Sequence, residues 1–408
     1  MTDFTELVDV LEKDIMPSVK QQLYRKAPLW EIFGGFQADE AAGMIENRVN
    51  PPQVSFKNDT IYIAIENGRP ATSGIDVGEK FGYGDLATDQ GHLHFVTPVG
   101  AFIIPKAVLK MKDGGAIVNA LNFKNKSVTN ALAMSLNRQC YGDGSATLAY
   151  VAASGSSTTV TLKPKATVAS LYNGDIALAV RRFSVGDKIK IGANAITTVA
   201  TIAANNSITV ADTQTLVADT AVVKYNASDA IAAELDGLGV MVDDTETYLG
   251  ITVASDAVWK SYVDDNSGSA KAFAAGDWDT AFLQAGIVGK PGYILCNLTE
   301  FKKYGQSLVG QVRFTPKQAL SGGWSALDFM GGNASIVMDP DCPDDKVFFL
   351  TPEEMFRAEL YPLEFEPGTL ANGQRLVQQL DYEVVMDTAC NIGTSVRAAH
   401  AVLENRVA

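Results

Sequence analysis

Residues 329–360 read FMGGNASIVMDPDCPDDKVFFLTPEEMFRAEL. Near the centre, Asp339, Asp341, Asp344 and Asp345 surround Cys342, with Pro340 and Pro343 between them. Such a knot of carboxylates can be a metal loop, a catalytic cluster or a turn. An EF-hand calcium loop needs ligands at positions 1, 3 and 5, a glycine at 6 and a glutamate at 12. Counted from Asp339, position 3 is Asp341, but positions 5, 6 and 12 are Pro343, Asp344 and Leu350. Two prolines also stiffen the backbone where it would have to wrap an ion. Asp and Pro favour turns for local reasons: a side-chain hydrogen bond to the backbone and a preset φ. The stretch therefore predicts strand SIVM, a Pro/Asp turn with solvated carboxylates, and strand KVFFL. Adventitious cation binding is the remaining alternative.

The chain has 408 residues, 47% hydrophobic and 20% charged, enough to bury large cores in two or three domains. Its net charge of −14 argues against a basic stripe for nucleic-acid phosphates or anionic membrane surfaces. No apolar run approaches the roughly 20 residues that span a bilayer. The opening MTDFTELVDVLEKDI alternates acids with apolar residues, unlike a secretory leader. Cys140, Cys296, Cys342 and Cys390 are scattered without a C-x-x-C pair. That excludes a zinc knuckle or redox motif of that spacing and predicts free thiols in a reducing cytoplasm.

Hydrophobic periodicity sets out the parts. Residues 1–35 read as short helices, with Phe4, Leu7, Val8, Leu11 and Ile15 at helical spacing and Pro28 opening the turn PLWEIF. In TIYIAIE, Ile61, Ile63 and Ile65 face one way while Tyr62, Ala64 and Glu66 face the other, as on a strand. HLHFV, residues 92–96, is a second extended run. The link between them carries six glycines from Gly68 to Gly91 and is long for a compact domain. Together they predict a two-stranded arm with an irregular tip, whose faces something outside must cover.

Residues 113–141 are the best helix candidate, with Ile117, Leu121, Val128, Leu132, Leu136 and Cys140 mostly four or seven apart. Asp113 can cap its start and Gly142 its end. Residues 143–230 hold SSTTVTLKP, FSVGDKIKI, ANAITTVATI and NSITVADT, short strands punctuated by Gly, Asn and Asp. They predict a small all-β barrel or sandwich inserted into a host fold. Residues 231–408 are mixed. DWDTAFLQAG reads as helix; GYILCNLTEFKKYG as strand, cap at Asn297 or Thr299, then helix; SIVMD, KVFFL, QLDYEVVMD and TSVRAAHAVLEN as strands.

No constellation for chemistry stands out. His92 and His94 share a strand face and could grip a metal, but no third ligand lies nearby in sequence. Three histidines and no G-x-S-x-G elbow leave little room for nucleophilic catalysis. GEKFGYG and GKPG lack phosphate-cradling spacing. Asp243-Asp244, Asp264-Asp265 and Glu353-Glu354 read as solvated surface acids.

The order of these parts resembles the major capsid proteins of tailed bacteriophages with the Hong Kong 97-type fold. The likeness rests on the arm with its long helix, on FMGGNASIVMDPDCPDDKVFFLTPEEMFRAEL, and on the closing DYEVVMDTACNIGTSVRAAHAVLEN, which looks like their final strand pair. It implies an α+β fold. Residues 1–50 would be the N-arm, 51–108 the E-loop with flanking P-domain strands, and 109–142 the P-domain spine helix. Residues 143–230 would be an inserted β domain, 231–370 mainly the A-domain, and 371–408 the C-terminal strands of the P-domain.

The resemblance also implies a function: a shell protein without catalytic site, metal or cofactor, self-assembling through hexamers and pentamers around double-stranded DNA. Lys80, Phe81, Tyr83 and Asp85, at the E-loop tip, would touch neighbouring subunits. Further partners would be a portal and separate scaffolding or decoration proteins, since the first residues are too few to hold a built-in scaffold. The place of action would be the virion capsid, assembled in the host cytoplasm. Cross-linking is not carried over, because nothing marks a partner for Lys80. An acidic chain suits a container in which DNA slides rather than sticks. The alternatives are an encapsulin-type nanocompartment shell, a calcium-dependent adhesive module resting on the aspartates, and a metal hydrolase using His92 and His94.

Overall fold

The computed structural model describes residues 28–33, 54–57, 60–66, 88–105, 114–163, 178–203, 206–253, 259–309, 317–319, 325–329, 334–343, 345–365 and 381–406. In chain order these form α1 (Pro28–Ile32), β1 (Val54–Lys57), β2 (Thr60–Glu66), β3 (Thr88–His94), β4 (Val99–Pro105) and α2 (Gly114–Cys140). Next come β5 (Thr147–Val151), β6 (Gly155–Lys163), α3 (Leu178–Arg181), β7 (Lys188–Ile191), β8 (Thr197–Ala203), β9 (Ser207–Leu216), β10 (Ala221–Tyr225) and α4 (Leu238–Met241). The rest are β11 (Tyr262–Asp264), α5 (Ala275–Ala285), β12 (Tyr293–Cys296), α6 (Leu298–Val309), β13 (Lys317–Ala319), β14 (Ser325–Phe329), β15 (Ala334–Met338), β16 (Val347–Leu350), β17 (Met355–Phe365), β18 (Asp381–Thr394) and β19 (Ala401–Leu403).

The helix expected from spacing is α2, about 40 Å long at its 27 residues. The C-terminal half of its apolar stripe is used: Leu132, Leu136 and Cys140 are buried, whereas Phe123, on the opposite face, is 75% exposed. Gly100 of β4 lets the helix close on the sheet, since a Cβ there would sit 2.8 Å from Val128. Beneath α2 lies a three-stranded antiparallel sheet in the order β17-β18-β4.

The arm strands form a second sheet, β1-β2-β3, all antiparallel. Here the expectation of external cover needs correction. Ile61, Ile63, Ile65 and Leu93 are buried within the chain itself, in one core with Leu29, Trp30, Leu136, Tyr248 and Phe356. Gly91 abuts Ile65 and Leu249, and the His92 N–H donates to the Leu249 carbonyl at 2.9 Å. The alternation in TIYIAIE had identified the apolar face correctly, but the surface that covers it comes from residues far along the chain.

The expected β-rich block closes into a six-stranded barrel, β10-β5-β6-β9-β8-β7. It encloses its own core of Leu148, Val160, Leu162, Phe183, Ile189, Ile191, Ile208 and Val222. The sequence reading had singled out β6 to β9 and missed β5 and β10, the short runs that complete closure. The third assembly is a seven-stranded mixed sheet, β11-β19-β16-β12-β15-β14-β13. Its strands β12, β15, β16 and β19 are buried on both faces, as their near-continuous apolar sequences require. Leu295, Val337, Phe348 and Val402 face the main core, while Ile294, Cys296, Ile336 and Phe349 lie in a separate core with Trp278 of α5 and Tyr304 of α6. Those two rings stack at 5.1 Å. Asn297 caps α6, its Oδ1 accepting from the Glu300 N–H at 2.8 Å.

SIVM and KVFFL are strands β15 and β16, as expected, with β12 between them, parallel to β15 and antiparallel to β16. The Pro/Asp segment is two successive turns, closed by Cys342 N–H to Asp339 O and Lys346 N–H to Pro343 O, both 3.2 Å. Its acids are not all solvated: Asp339 is 0% and Asp345 4% exposed. Asp344 lies outside the described residues. The closing strands β18 and β19 do not pair with each other: β18 lies in the three-stranded sheet and β19 in the seven-stranded one, with a 3-10 turn at Arg397–Ala399 where strand was expected. β17 pairs with β18, and β19 returns to the sheet of β16.

Ile63 is fully buried between the arm and the main core. Ile63→Ala should cost about 2–5 kcal/mol of unfolding free energy, measured by chemical denaturation. An unchanged midpoint would show that the arm is covered only from outside.

Candidate functional site

The features that set this chain's shape converge on the C-terminal end of α2. Tyr141 N–H and Gly142 N–H close the last turn onto Arg138 O and Gln139 O. Segment 235–241 then docks against that end. A Cβ on Gly237 would lie within 2.7 Å of the carbonyl oxygens of Gln139, Cys140 and Gly142, so only glycine fits. Gln139 Oε1 accepts from the Leu235 N–H, and Arg138 pairs with Glu234 in a buried salt bridge. From the other side comes the Pro/Asp crossover. Asn137 Nδ2 donates to Asp339 Oδ1 and Oδ2 at 3.0 and 3.1 Å, and Tyr141 OH donates to Asp339 Oδ2 at 3.0 Å. Burial raises the Asp339 carboxyl to about 6, against the pull of these donors.

Two buried arginines secure the neighbouring chain. Arg397 has no carboxylate in direct contact among the described residues; it donates to the carbonyls of Val240, Met241, Glu246 and Trp259 at 3.0–3.3 Å. Arg357 lies 4.5 Å from the Trp30 ring, donates to Trp30 O at 3.1 Å and pairs with Glu359 at 2.8 Å. It ties α1 to the β17 sheet. Neither arginine, nor Asn137 or Tyr141, was singled out from the sequence. The missing signal is a distant partner, which spacing along one segment does not reveal.

The expected site residues fare differently. Lys80, Phe81, Tyr83 and Asp85 lie outside the described residues. His92 and His94 do share a face of β3 and line a cavity of about 520 Å³ with Thr60, Tyr62, Asp236 and Tyr248. His94 Nδ1 lies 3.1 Å from Thr60 Oγ1, and His92 packs edge-on to Tyr62 at 4.9 Å. Asp236 joins them there, its carboxyl raised by burial while the Asn391 amide draws it back. Still, among the described residues no three His, Cys, Asp or Glu side chains are placed to hold a metal.

All four cysteines are free and buried, and burial pushes the Cys390 thiol up to about 12, with Cys140 and Cys296 also raised. His400 is sealed in the core. Its Nδ1 accepts from the Thr351 N–H at 3.2 Å, leaving Nε2 to donate to Thr394 Oγ1 at 2.9 Å. Burial drops its pKa to about 3. No helix of the described residues is long and apolar enough to cross a membrane.

No family model matches the chain, and no curated protein matches it in sequence. Solved structures do. The capsid asymmetric unit of cyanophage A-1(L) matches over 92% of this chain and 95% of its own, at 11% identity and a TM-score of 0.54. The chain has the fold of a phage capsid protein. The capsid of a native GTA particle also matches, over 93% of this chain and 94% of its own, at 10% identity and a TM-score of 0.40. The holo-SrpI encapsulin complex of Synechococcus elongatus matches over 36% of this chain and 52% of its own, at 14% identity and a TM-score of 0.29. The resemblance drawn from the sequence is thus met at the level of fold.

The neutral His400 sets a pH dependence. Its ordinary value is 6.5 and its folded value about 3, so between these the unfolded chain holds the extra proton. Acidification through that window therefore favours unfolding. His400→Gln should flatten the stability–pH slope by about 1.4 kcal/mol per pH unit between pH 6 and 4, read by denaturation at each pH. Parallel slopes would mean that the ring is solvated.

Proposed function

We propose that the chain is the major capsid protein of a tailed phage, assembling through hexamers and pentamers into an icosahedral shell around double-stranded DNA. The observation that carries this is the fold match to a cyanophage capsid over 92% of the chain. The parts support it. In this reading α2 is the spine helix of the P-domain, with β17, β18 and β4 as its sheet. The strands β1 to β3 root the E-loop, and the seven-stranded sheet with α5 and α6 is the A-domain. Residues 1–50 are the N-arm, and the barrel within residues 143–230 is an inserted domain, having its own core between α2 and the glycines that meet its end.

The shell reading makes the protein structural rather than enzymatic. The raised thiols and the sealed His400 accord with that. The E-loop tip, with Lys80, Phe81, Tyr83 and Asp85, is assigned to contacts between subunits. Rings of this kind are heterologous and closed, one surface patch meeting a different one. Portal, scaffolding and decoration proteins are the further partners, the virion is the place of action, and assembly occurs in the host cytoplasm. The net charge of −14 favours a wall that does not hold DNA tightly. The alternative that the sequence resemblance leaves beside it is an encapsulin-type compartment.

Expression of the full chain, alone or with the other structural genes of its locus, should yield closed particles with six- and five-fold capsomers under the electron microscope. Particles filled with a cargo protein and lacking a portal vertex would favour the compartment. A dispersed monomer in both settings would overturn the shell reading.

A further inference from the structure

Asp339 is a carboxylate buried without a cation. It is 0% exposed, and none of the ion pairs among the described residues includes it. Its donors are all neutral: the Asn137 amide, the Tyr141 hydroxyl and, at 2.9 Å to Oδ1, the Asp341 N–H. The same Asn137 Nδ2 reaches Asp341 Oδ2 at 2.8 Å, holding a second carboxylate beside the first. Two adjacent negative charges with one of them fully desolvated are costly, and one proton relieves both the burial and the repulsion.

Among the described residues, no ion pair includes Asp339 or Asp341. From α2, the titratable groups facing the pair are Tyr141 and Cys140, both kept protonated by burial. From the turn they are Asp341 and Cys342, the latter acting on Tyr141. From β12, Cys296 contributes its carbonyl, which accepts from the Asp339 N–H at 3.0 Å, and a thiol that burial keeps protonated. The nearby cations are committed elsewhere: Arg138 to Glu234, Lys346 to Glu404 and Arg357 to Glu359.

We propose that Asp339 is a proton-operated joint, in which one bound proton fastens the end of α2 to the crossover between β15 and β16. The proton sits on an Asp339 oxygen and removes the repulsion from the Asp341 carboxylate, which the shared Asn137 amide holds beside it. Acid would then tighten the contact between the long helix and the seven-stranded sheet, and loss of the proton would loosen it. This stands on the joint alone, independent of the shell reading.

The sign follows from the two values. The folded carboxyl titrates near 6 and the ordinary one near 3.8, so between them the folded chain holds the extra proton. The stabilisation is complete below the ordinary value and is lost as pH rises through the folded one. The test is chemical unfolding of the full chain from pH 4 to 7.5, in EDTA and in calcium, for wild type, Asp339→Asn and Asp341→Asn. Relative to Asp339→Asn, the wild-type unfolding constant should rise about a hundredfold across the window. The opposite trend from His400 is common to both and cancels. Asp341→Asn removes the neighbouring charge and should move the window to lower pH, which keeps the test open if Asp339→Asn does not fold. Parallel profiles for wild type and Asp339→Asn, or an unmoved window in Asp341→Asn, would overturn the proposal. So would calcium stabilising wild type alone at neutral pH, which would make the pair a cation site instead.

Discussion

The structure depends on one constraint: the last turns of α2 are buried on every side. Asn137, Arg138, Gln139, Cys140 and Tyr141 all have little or no exposure. A helix end leaves its final carbonyls without intrahelical partners, so burying it demands outside donors and close backbone packing. Both are met by long-range partners. Gly239 N–H donates to Gly142 O at 2.9 Å, and Gly237 packs directly onto the terminal carbonyls. The chain leaves α2 into the barrel and comes back within a few residues of the same point. The barrel's exit and entry are thus held together at the helix end, which is how a separate β core can be hung there without splitting the body of the fold.

Polar side chains at this centre act as long-range fasteners. Arg397 binds four carbonyls from residues 240, 241, 246 and 259. Arg357 grips Trp30 from the opposite side of the core. The guanidinium's several planar donors reach backbone oxygens in both cases, and in Arg357 the Glu359 carboxylate as well. Asn137 does the same for a carboxylate pair. Buried groups of this type are unforgiving, because removing one partner strands the other. They fix the relative placement of elements more sharply than apolar contacts, which tolerate repacking.

What was legible in the sequence follows from range. α2 was readable because its apolar stripe repeats within one segment, and the barrel strands because alternation and turn residues are local. The cap at Asn297 was readable for the same reason. The pairing of β12 between β15 and β16 was not: two strands joined by eight residues look like a hairpin, and only the third strand's arrival shows otherwise. Asp339 was misjudged on the same ground. In sequence it is one of four aspartates in a turn, and its burial is decided by Asn137 and Tyr141 about 200 residues earlier. The arm was misjudged in the reverse direction, since its apolar face was plain but its cover, from Leu29 to Ile392, was not.

That internal cover changes what the arm can offer to a neighbour. With Ile61, Ile63, Ile65 and Leu93 used inside, the other face carries Tyr62, His92 and His94 beside the 520 Å³ cavity. An arm whose apolar face was free would need its partner in order to fold. One already seated on its own core keeps its root rigid and presents polar groups, which favour contacts that form and reverse without unfolding either side. If the chain builds the proposed shell, such roots would be in place before the neighbour arrives, so the ordering cost is met at folding and not at each assembly step.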